Sequence, residues 1–227
     1  MKGKIFNAQE VQSILNGSKV MFREVTRPQL SYRNPEIPRK LVRFEDESGY
    51  RTIDRDNEWV VSVFERCPYR VGQKIFCKEA WGRKATGNGI AYKADNPNQL
   101  IYQHLPVKWR LPQHMKQEHS RLTLEITNIK VERLAEISKE DAIKEGATSR
   151  PNCHGYANRY EGWCMNWNKV GETSKWASNR KTLSESDICM GSAQYAFINS
   201  WIATHKKPEE KFEVNPFVWV VNFKINK

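Results

Sequence analysis

Nowhere among the 227 residues is there an uninterrupted apolar run of the length that a membrane crossing needs. The basic start, Met1-Lys2-Gly3-Lys4-Ile5-Phe6, has no apolar stretch behind it, so neither a secretory signal nor a transmembrane span is expected. The five cysteines (Cys67, Cys77, Cys153, Cys164 and Cys189) are odd in number and form no CxxC pair. That usage fits reduced thiols in a cytoplasm better than a disulfide framework. A zinc site from Cys153, His154, Cys164 and Cys189 matches no tight ligand spacing, and neither a metal nor a cofactor is expected. No internal repeat and no low-complexity tract is present, which excludes repeat arrays.

What the chain does have is charge of one sign and aromatic rings. Hydrophobic residues make up 39% and charged residues 28%, the balance of a folded protein with one good core. The net charge is +11, the pI about 9.4, and Trp occurs eight times. Such a surface suits a polyanionic partner, RNA or single-stranded DNA ahead of a membrane. A basic protein that is merely soluble has the same composition.

Asn7-Ala8-Gln9-Glu10 has the spacing of a capping box, with Val11, Ile14 and Leu15 as the apolar stripe and Gly17 as the stop. Residues 26 to 56, with three prolines and no period, form an extended loop or hairpin insertion. Strand signals follow at Trp59 to Phe64, at Gly72 to Trp81 after a turn, and at Ile90 to Lys93. From Arg121 to Leu134, Leu122, Leu124 and Ile126 alternate, then the phase slips by one so that Ile129 and Val131 continue the same face. That slip predicts a bulge near Thr127-Asn128. Ser138 and Asp141 cap a short helix ended by Gly146.

Residues 147 to 187 are polar without a clear period, yet they carry Tyr156, Tyr160, Trp163, Trp167 and Trp176 among Arg150, Arg159, Lys169, Lys175, Arg180 and Lys181. A helix from about Gly191 to Thr204 sets Phe197, Ile198, Trp201 and Ile202 on one face. A final strand runs from Phe217 to Ile225 with every second residue apolar. Short strands with few helices predict an α+β fold, a small mixed β-barrel with flanking helices and two insertions.

Lys19 and Arg23 lie just past the first helix, and Glu145 lies in the last turn of the helix after the long strand. A glutamate at a helix C-terminus opposes the macrodipole, and Lys19 is the cation nominated to relieve it.

Taken together, Gly17-Ser18-Lys19 to Arg23, Gly72 to Trp81, Ser120 to Glu125, Ser138 to Gly146 and Asn215 to Val220 resemble an ASCH domain. More narrowly, they resemble the longer ASCH proteins encoded by tailed bacteriophages and prophages, sometimes labelled morphogenetic. The likeness spans almost the whole of 1–227 as a single domain, with insertions at about 26–56 and 147–187. It implies a PUA-like pseudo-barrel, whose members bind RNA or read modified bases in a cleft. Small relatives are amidohydrolases of N4-acetylcytidine, and another relative has been associated with ribonuclease activity. In the amidohydrolases a Gly-x-Lys-Thr-x-Thr motif and a distant glutamate form the proposed catalytic set. Here the lysine falls on Lys19 and the glutamate on Glu145, while Val20 and Phe22 stand where the two threonines would be.

Amide hydrolysis needs a nucleophile, a proton shuttle and oxyanion stabilisation. Lys19 and Glu145 are the catalytic candidates, with Arg23 holding an oxyanion or phosphate. Lys19 serves as a base only if its pKa is lowered. Phe22 closes a covalent route at its position, and Thr26 would return only through a distorted loop. Each feature has two readings. Lys19 with Glu145 is either a catalytic pair or a scaffolding ion pair. Phe22 is either core or a ring for stacking on a base. The aromatic-basic insertion is either an accessory core or a platform for bases, with Trp163 and Trp167 as ligand-binding candidates. Arg110 joins them from a basic stretch that also holds Lys108, His114, Lys116 and His119.

The expected function is a cytoplasmic protein (in the host cytoplasm if phage-encoded) that binds nucleic acid or a modified nucleoside in a basic cleft. The alternatives are an N4-acylcytidine amidohydrolase or nuclease, and a phage product that binds a host protein.

Overall fold

A computed structural model describes residues 1–27, 40–43, 50–53, 61–62, 67–84, 89–95, 107–173 and 182–226. The fold is α+β. Its centre is a five-stranded sheet in the order β1 (Lys2–Ile5), β6 (Lys74–Lys78), β9 (Thr123–Arg133), β12 (Phe217–Ile225), β2 (Met21–Val25). β1 and β6 run parallel, and the other neighbours are antiparallel.

The long strands explain the arrangement. β9 carries Leu124, Ile126, Ile129 and Val131 into one core despite the change of phase, because its pairing with β12 slips there. Asn128 faces Asn222 and Ile126 faces Phe223, so Thr127 is the extra residue of the expected bulge. β12 lies between β9 and β2 and is buried on both sides. Phe217, Trp219, Val221 and Phe223 enter the first core, while Val218 and Val220 enter a second.

The first core is covered by α1 (Ala8–Leu15), whose Val11 and Ile14 pack with Phe6, Phe22, Tyr69 and Ile75. The capping box is present, with the Asn7 side chain accepting from Glu10 N and the Glu10 side chain accepting from Asn7 N. The second core packs Met21 and Val25 against α2 (Lys139–Lys144) and α4 (Ala193–Thr204). In α4 the buried face is Ala193, Ala196, Phe197 and Trp201. Ile202, expected on that face, is exposed instead, because the face is centred on the two alanines.

The edge strands β1 and β2 are joined by side chains. Lys4 Nζ lies 2.6 Å from Glu24 Oε2, which also accepts from Tyr69 Oη at 2.6 Å. Among the described residues no sheet closes on itself through backbone pairing, so the expected barrel is not seen as a continuous ladder.

Three strands, β3 (Lys40–Arg43), β4 (Tyr50–Ile53) and β5 (Val61–Ser62), make a small antiparallel sheet, and β3 and β4 fall in the stretch 26–56 expected to be an extended loop or hairpin insertion. Apart from Thr26 and Arg27, the rest of that insertion, and all but Val61–Ser62 of the strand expected from Trp59 to Phe64, lie outside the described residues. β7 (Trp81–Arg83) pairs with β8 (Ile90–Tyr92). The second insertion is more regular than its sequence suggests. β10 (Thr148–His154) and β11 (Tyr160–Cys164) form an antiparallel hairpin, followed by α3 (Glu185–Ile188). Among the described residues no helix is long and apolar enough to cross a membrane.

Candidate functional site

Backbone turns at Gly17 and Gly146 bring Lys19 to Glu145. Gly17, at φ +79°, releases the chain from α1. Lys19 N then donates to Ser13 O, and Val20 N donates to Lys144 O at the end of α2. Ser138 caps α2 by accepting from Asp141 N, and Gly146 ends it at φ +107°, leaving Glu145 as the C-cap residue. The Lys19 ammonium donates to Glu145 Oε2 at 2.8 Å and to Glu145 O at 3.0 Å. Glu10 Oε1 lies 3.6 Å away.

Arg23 reaches the same carboxylate from the second-core face of β2. Its Nη1 donates to Glu145 Oε1 at 3.0 Å, and its Nη2 reaches Glu132 Oε1 at 2.5 Å and Asp141 Oδ2 at 3.1 Å. Lys130 adds bonds to Asp141 at 2.7 Å and Glu132 at 2.8 Å. With Lys144 3.9 Å from Asp141, four cations and four carboxylates share one network, in which Lys19 and Glu145 are each 3% exposed. Lys19, Arg23 and Glu145 are interior and paired with opposite charge, in contrast to the open basic cleft expected for them.

Burial pulls the pKa of Lys19 down, but Glu145 and Glu10 outweigh it and hold the ammonium above the ordinary lysine value. Lys19 is therefore a cation at neutral pH and lacks the lowered pKa that a general base requires. Burial likewise raises Asp141, and Lys130 and Arg23 outweigh it to hold this carboxyl below its usual range. The sequence reading missed Glu132, Lys130 and Asp141 as members of this set. The signal available was the alternation of Lys130 and Glu132 against Ile129 and Val131 on β9.

Phe22 points to the other face of β2 and is core. Its ring meets Tyr69 edge-on at 5.3 Å and Phe6 at 6.0 Å. Thr26, just beyond β2, is buried with its N–H on Phe217 O, and no distortion returns it toward Lys19.

The remaining candidates lie elsewhere. Arg110 is exposed and exchanges backbone hydrogen bonds with Trp81, its guanidinium 5.1 Å from that ring. His119 stacks on Trp81 at 4.4 Å, and His114 is exposed. On the β10–β11 hairpin, Trp163 is half-buried against the second core, with Lys139 Nζ 5.4 Å from its ring. Trp167 donates from Nε1 to Thr148 Oγ1 at 3.0 Å, and the Arg150 guanidinium lies 4.7 Å from its ring. At the hairpin tip Tyr156 is 88% and Tyr160 64% exposed, beside exposed Arg159. A Cβ on Gly155 would fall 2.4 Å from the Tyr160 ring, and Gly155 has φ +77°, so this position needs glycine twice over. Trp176, Lys175, Arg180 and Lys181 lie outside the described residues.

Among the described residues no group of three or more His, Cys, Asp or Glu side chains could hold a metal ion. Comparison of this chain with protein-family models, with curated proteins and with solved structures returns no match.

Proposed function

We propose that this chain is an ASCH-like protein with a PUA-like, barrel-derived core that binds single-stranded nucleic acid through the β10–β11 hairpin. One observation carries the reading. The β10–β11 projection sets Tyr156 and Tyr160 in solvent beside Arg150 and Arg159, and the helical turn that follows it adds half-buried Trp167 and exposed Lys169. Accessible rings give bases a π-face to stack on, and the neighbouring cations track phosphates. A net charge of +11 supplies the long-range attraction. The buried Lys19–Glu145–Arg23 network then serves as scaffold, locking β2 to the C-terminus of α2.

The test is fluorescence-anisotropy titration of single-stranded RNA and DNA oligonucleotides over a range of salt. Affinity that falls steeply with salt and weakens in Tyr160→Ala supports the reading. No binding at low salt overturns it.

A second reading is favoured by one contact, the 2.8 Å Lys19–Glu145 pair, whose residues match the lysine and glutamate of the ASCH amidohydrolases. Against it stand the protonated state of Lys19 and the core position of Phe22. Hydrolysis of N4-acetylcytidine, lost in both Lys19→Ala and Glu145→Ala, would establish the enzyme.

A further inference from the structure

Two thiols outside the ion-pair network share one position in space. Cys153 lies on β10 and Cys189 follows α3. A Cβ on Gly162 would fall 2.5 Å from Cys153 Sγ and 2.7 Å from Cys189 Sγ. Both sulfurs therefore converge over this one glycine, and their separation cannot exceed those two distances laid end to end. Any side chain at 162 would occupy the space the sulfurs fill. The polar surroundings keep the pair aligned. Cys189 Sγ donates to Cys153 O at 2.7 Å, and Cys153 Sγ donates to Arg150 O at 3.1 Å. His154 Nδ1 lies 3.7 Å from Cys189 Sγ. The backbone of Cys153 belongs to the stretch where the β10–β11 register shifts between Arg150 and His154. The bulge turns its side chain toward the Cys189 turn.

We infer that Cys153 and Cys189 form a reversible disulfide by exchange with a small-molecule disulfide of the oxidised-glutathione class. Cys189, 5% exposed against 2% for Cys153, makes the first attack. Its thiol loses a proton to water, and the thiolate attacks one sulfur of the small disulfide, whose S–S bond breaks to release one small thiolate. The Cys153 thiolate then attacks Cys189 Sγ in the mixed disulfide and expels the second small thiolate. The two small thiolates take up the two protons lost by the cysteines. In balance, two protein thiols are oxidised and one small disulfide is reduced to two thiols. Neither sulfur takes part in the nucleic-acid face proposed above. The bond would tie the hairpin covalently to the turn that leads into α4, an attachment now made by packing, by the Cys189–Cys153 hydrogen bond, by the Arg150–Glu185 ion pair and by the backbone bridge between Trp163 and Met190.

Burial and then the neighbouring Cys153 push Cys189 up to about 11, so thiolate is scarce at neutral pH. The first step should accelerate by about tenfold for each pH unit gained below that value.

The experiment is incubation of the full chain with oxidised glutathione at several pH values, trapping with iodoacetamide, and digestion without reductant. The expected product is a linked peptide pair containing Cys153 and Cys189, lighter by two hydrogens than the two reduced peptides. Free thiols, titrated after denaturation, should fall from five to three and recover with dithiothreitol. Cys153→Ser should accumulate the mixed disulfide at Cys189, whereas Cys189→Ser should form neither product. Recovery of both cysteines in alkylated form overturns the inference, as does a linkage that maps to another pair such as Cys164 with either. The wild-type peptide map decides the question even if a serine variant fails to fold.

Discussion

Lys19 holds Glu145 twice, once through the side-chain carboxylate at 2.8 Å and once through the same residue's backbone carbonyl at 3.0 Å. A single ammonium thus neutralises a buried acid and caps the C-terminus of α2, where the macrodipole is negative.

Lys19→Met should therefore remove both functions at once. Glu145 would keep Arg23 as its remaining partner. Breaking one side of a buried ion pair typically costs about 3 kcal/mol or more. The urea midpoint should fall accordingly, while Lys19→Arg retains part of the loss. A midpoint unchanged in Lys19→Met would remove the scaffold interpretation.

The pH dependence follows from this network together with two carboxyls outside it, Glu24 paired with Lys4 and Glu79 paired with Arg121. Asp141 and Glu24 have folded pKa values below their ordinary values of 3.8 and 4.5. Their contribution is complete above those values and is lost as pH falls through the lower folded ones. Lys19 lies above its ordinary 10.5, so its contribution is complete below that value and is lost as pH rises through the folded one. Glu79, raised by burial, works in the opposite sense and gives back some stability as pH falls through its folded value. Urea midpoints across pH should form a plateau with an acid edge below about pH 4 and an alkaline edge above about pH 10.5. An acid edge that survives Asp141→Asn unchanged would assign it to other groups.

Phe22→Thr would introduce the hydroxyl that the proposed likeness to ASCH amidohydrolases sets at this position, and it should not confer catalysis. The side chain belongs to the aromatic cluster with Tyr69, Phe6 and Phe223, on the opposite face of β2 from Arg23. Removing the ring should cost about 3–5 kcal/mol through the cavity left behind. Thermal denaturation measures the loss. Turnover of N4-acetylcytidine by this variant would contradict the assignment of faces.

Tyr160→Ala and Trp167→Ala should each weaken single-stranded nucleic-acid binding by about 1–3 kcal/mol, the usual worth of one stacked base. Arg159→Ala should instead lower affinity for all sequences and flatten the salt dependence. Both effects are read from anisotropy titrations, with circular dichroism showing that the hairpin persists. Loss of affinity in none of the three variants would move the binding face away from β10–β11.

Much of the frame was legible in the residues because it obeys short periods. Asn7 and Glu10 mark the start of α1, the phase slip between Ile126 and Ile129 marks the bulge, and alternate apolar residues mark β12. The pairing of Lys19 with Glu145 was legible because a glutamate at a helix C-terminus needs a cation. The β10–β11 hairpin was hidden because its interior is made by Cys153, Gly162 and Cys164, small or sulfur-bearing residues, and its register shifts midway. The buried face of α4 was misjudged at Ile202 because Ala193 and Ala196 do the packing, and small residues contribute little to an apolar stripe. The alternation on β9 sets Lys130 and Glu132 on one face, but that this face meets Arg23 and Asp141 depends on contacts between distant segments.

The position of β2 at the sheet edge bears on how the protein is made. Among the described strands β2 pairs with β12 alone. At a translation rate of roughly 5–20 residues per second, the ribosome needs on the order of ten to forty seconds to reach β12 after β2 has been synthesised. Throughout that interval Met21, Phe22 and Val25 have no ladder partner, and for its first part Arg23 also waits for Glu132, Asp141 and Glu145 to be synthesised. The nascent chain therefore carries an unpaired, half-apolar edge that chaperones can engage, and the sheet closes over its two cores only when the β12 segment arrives.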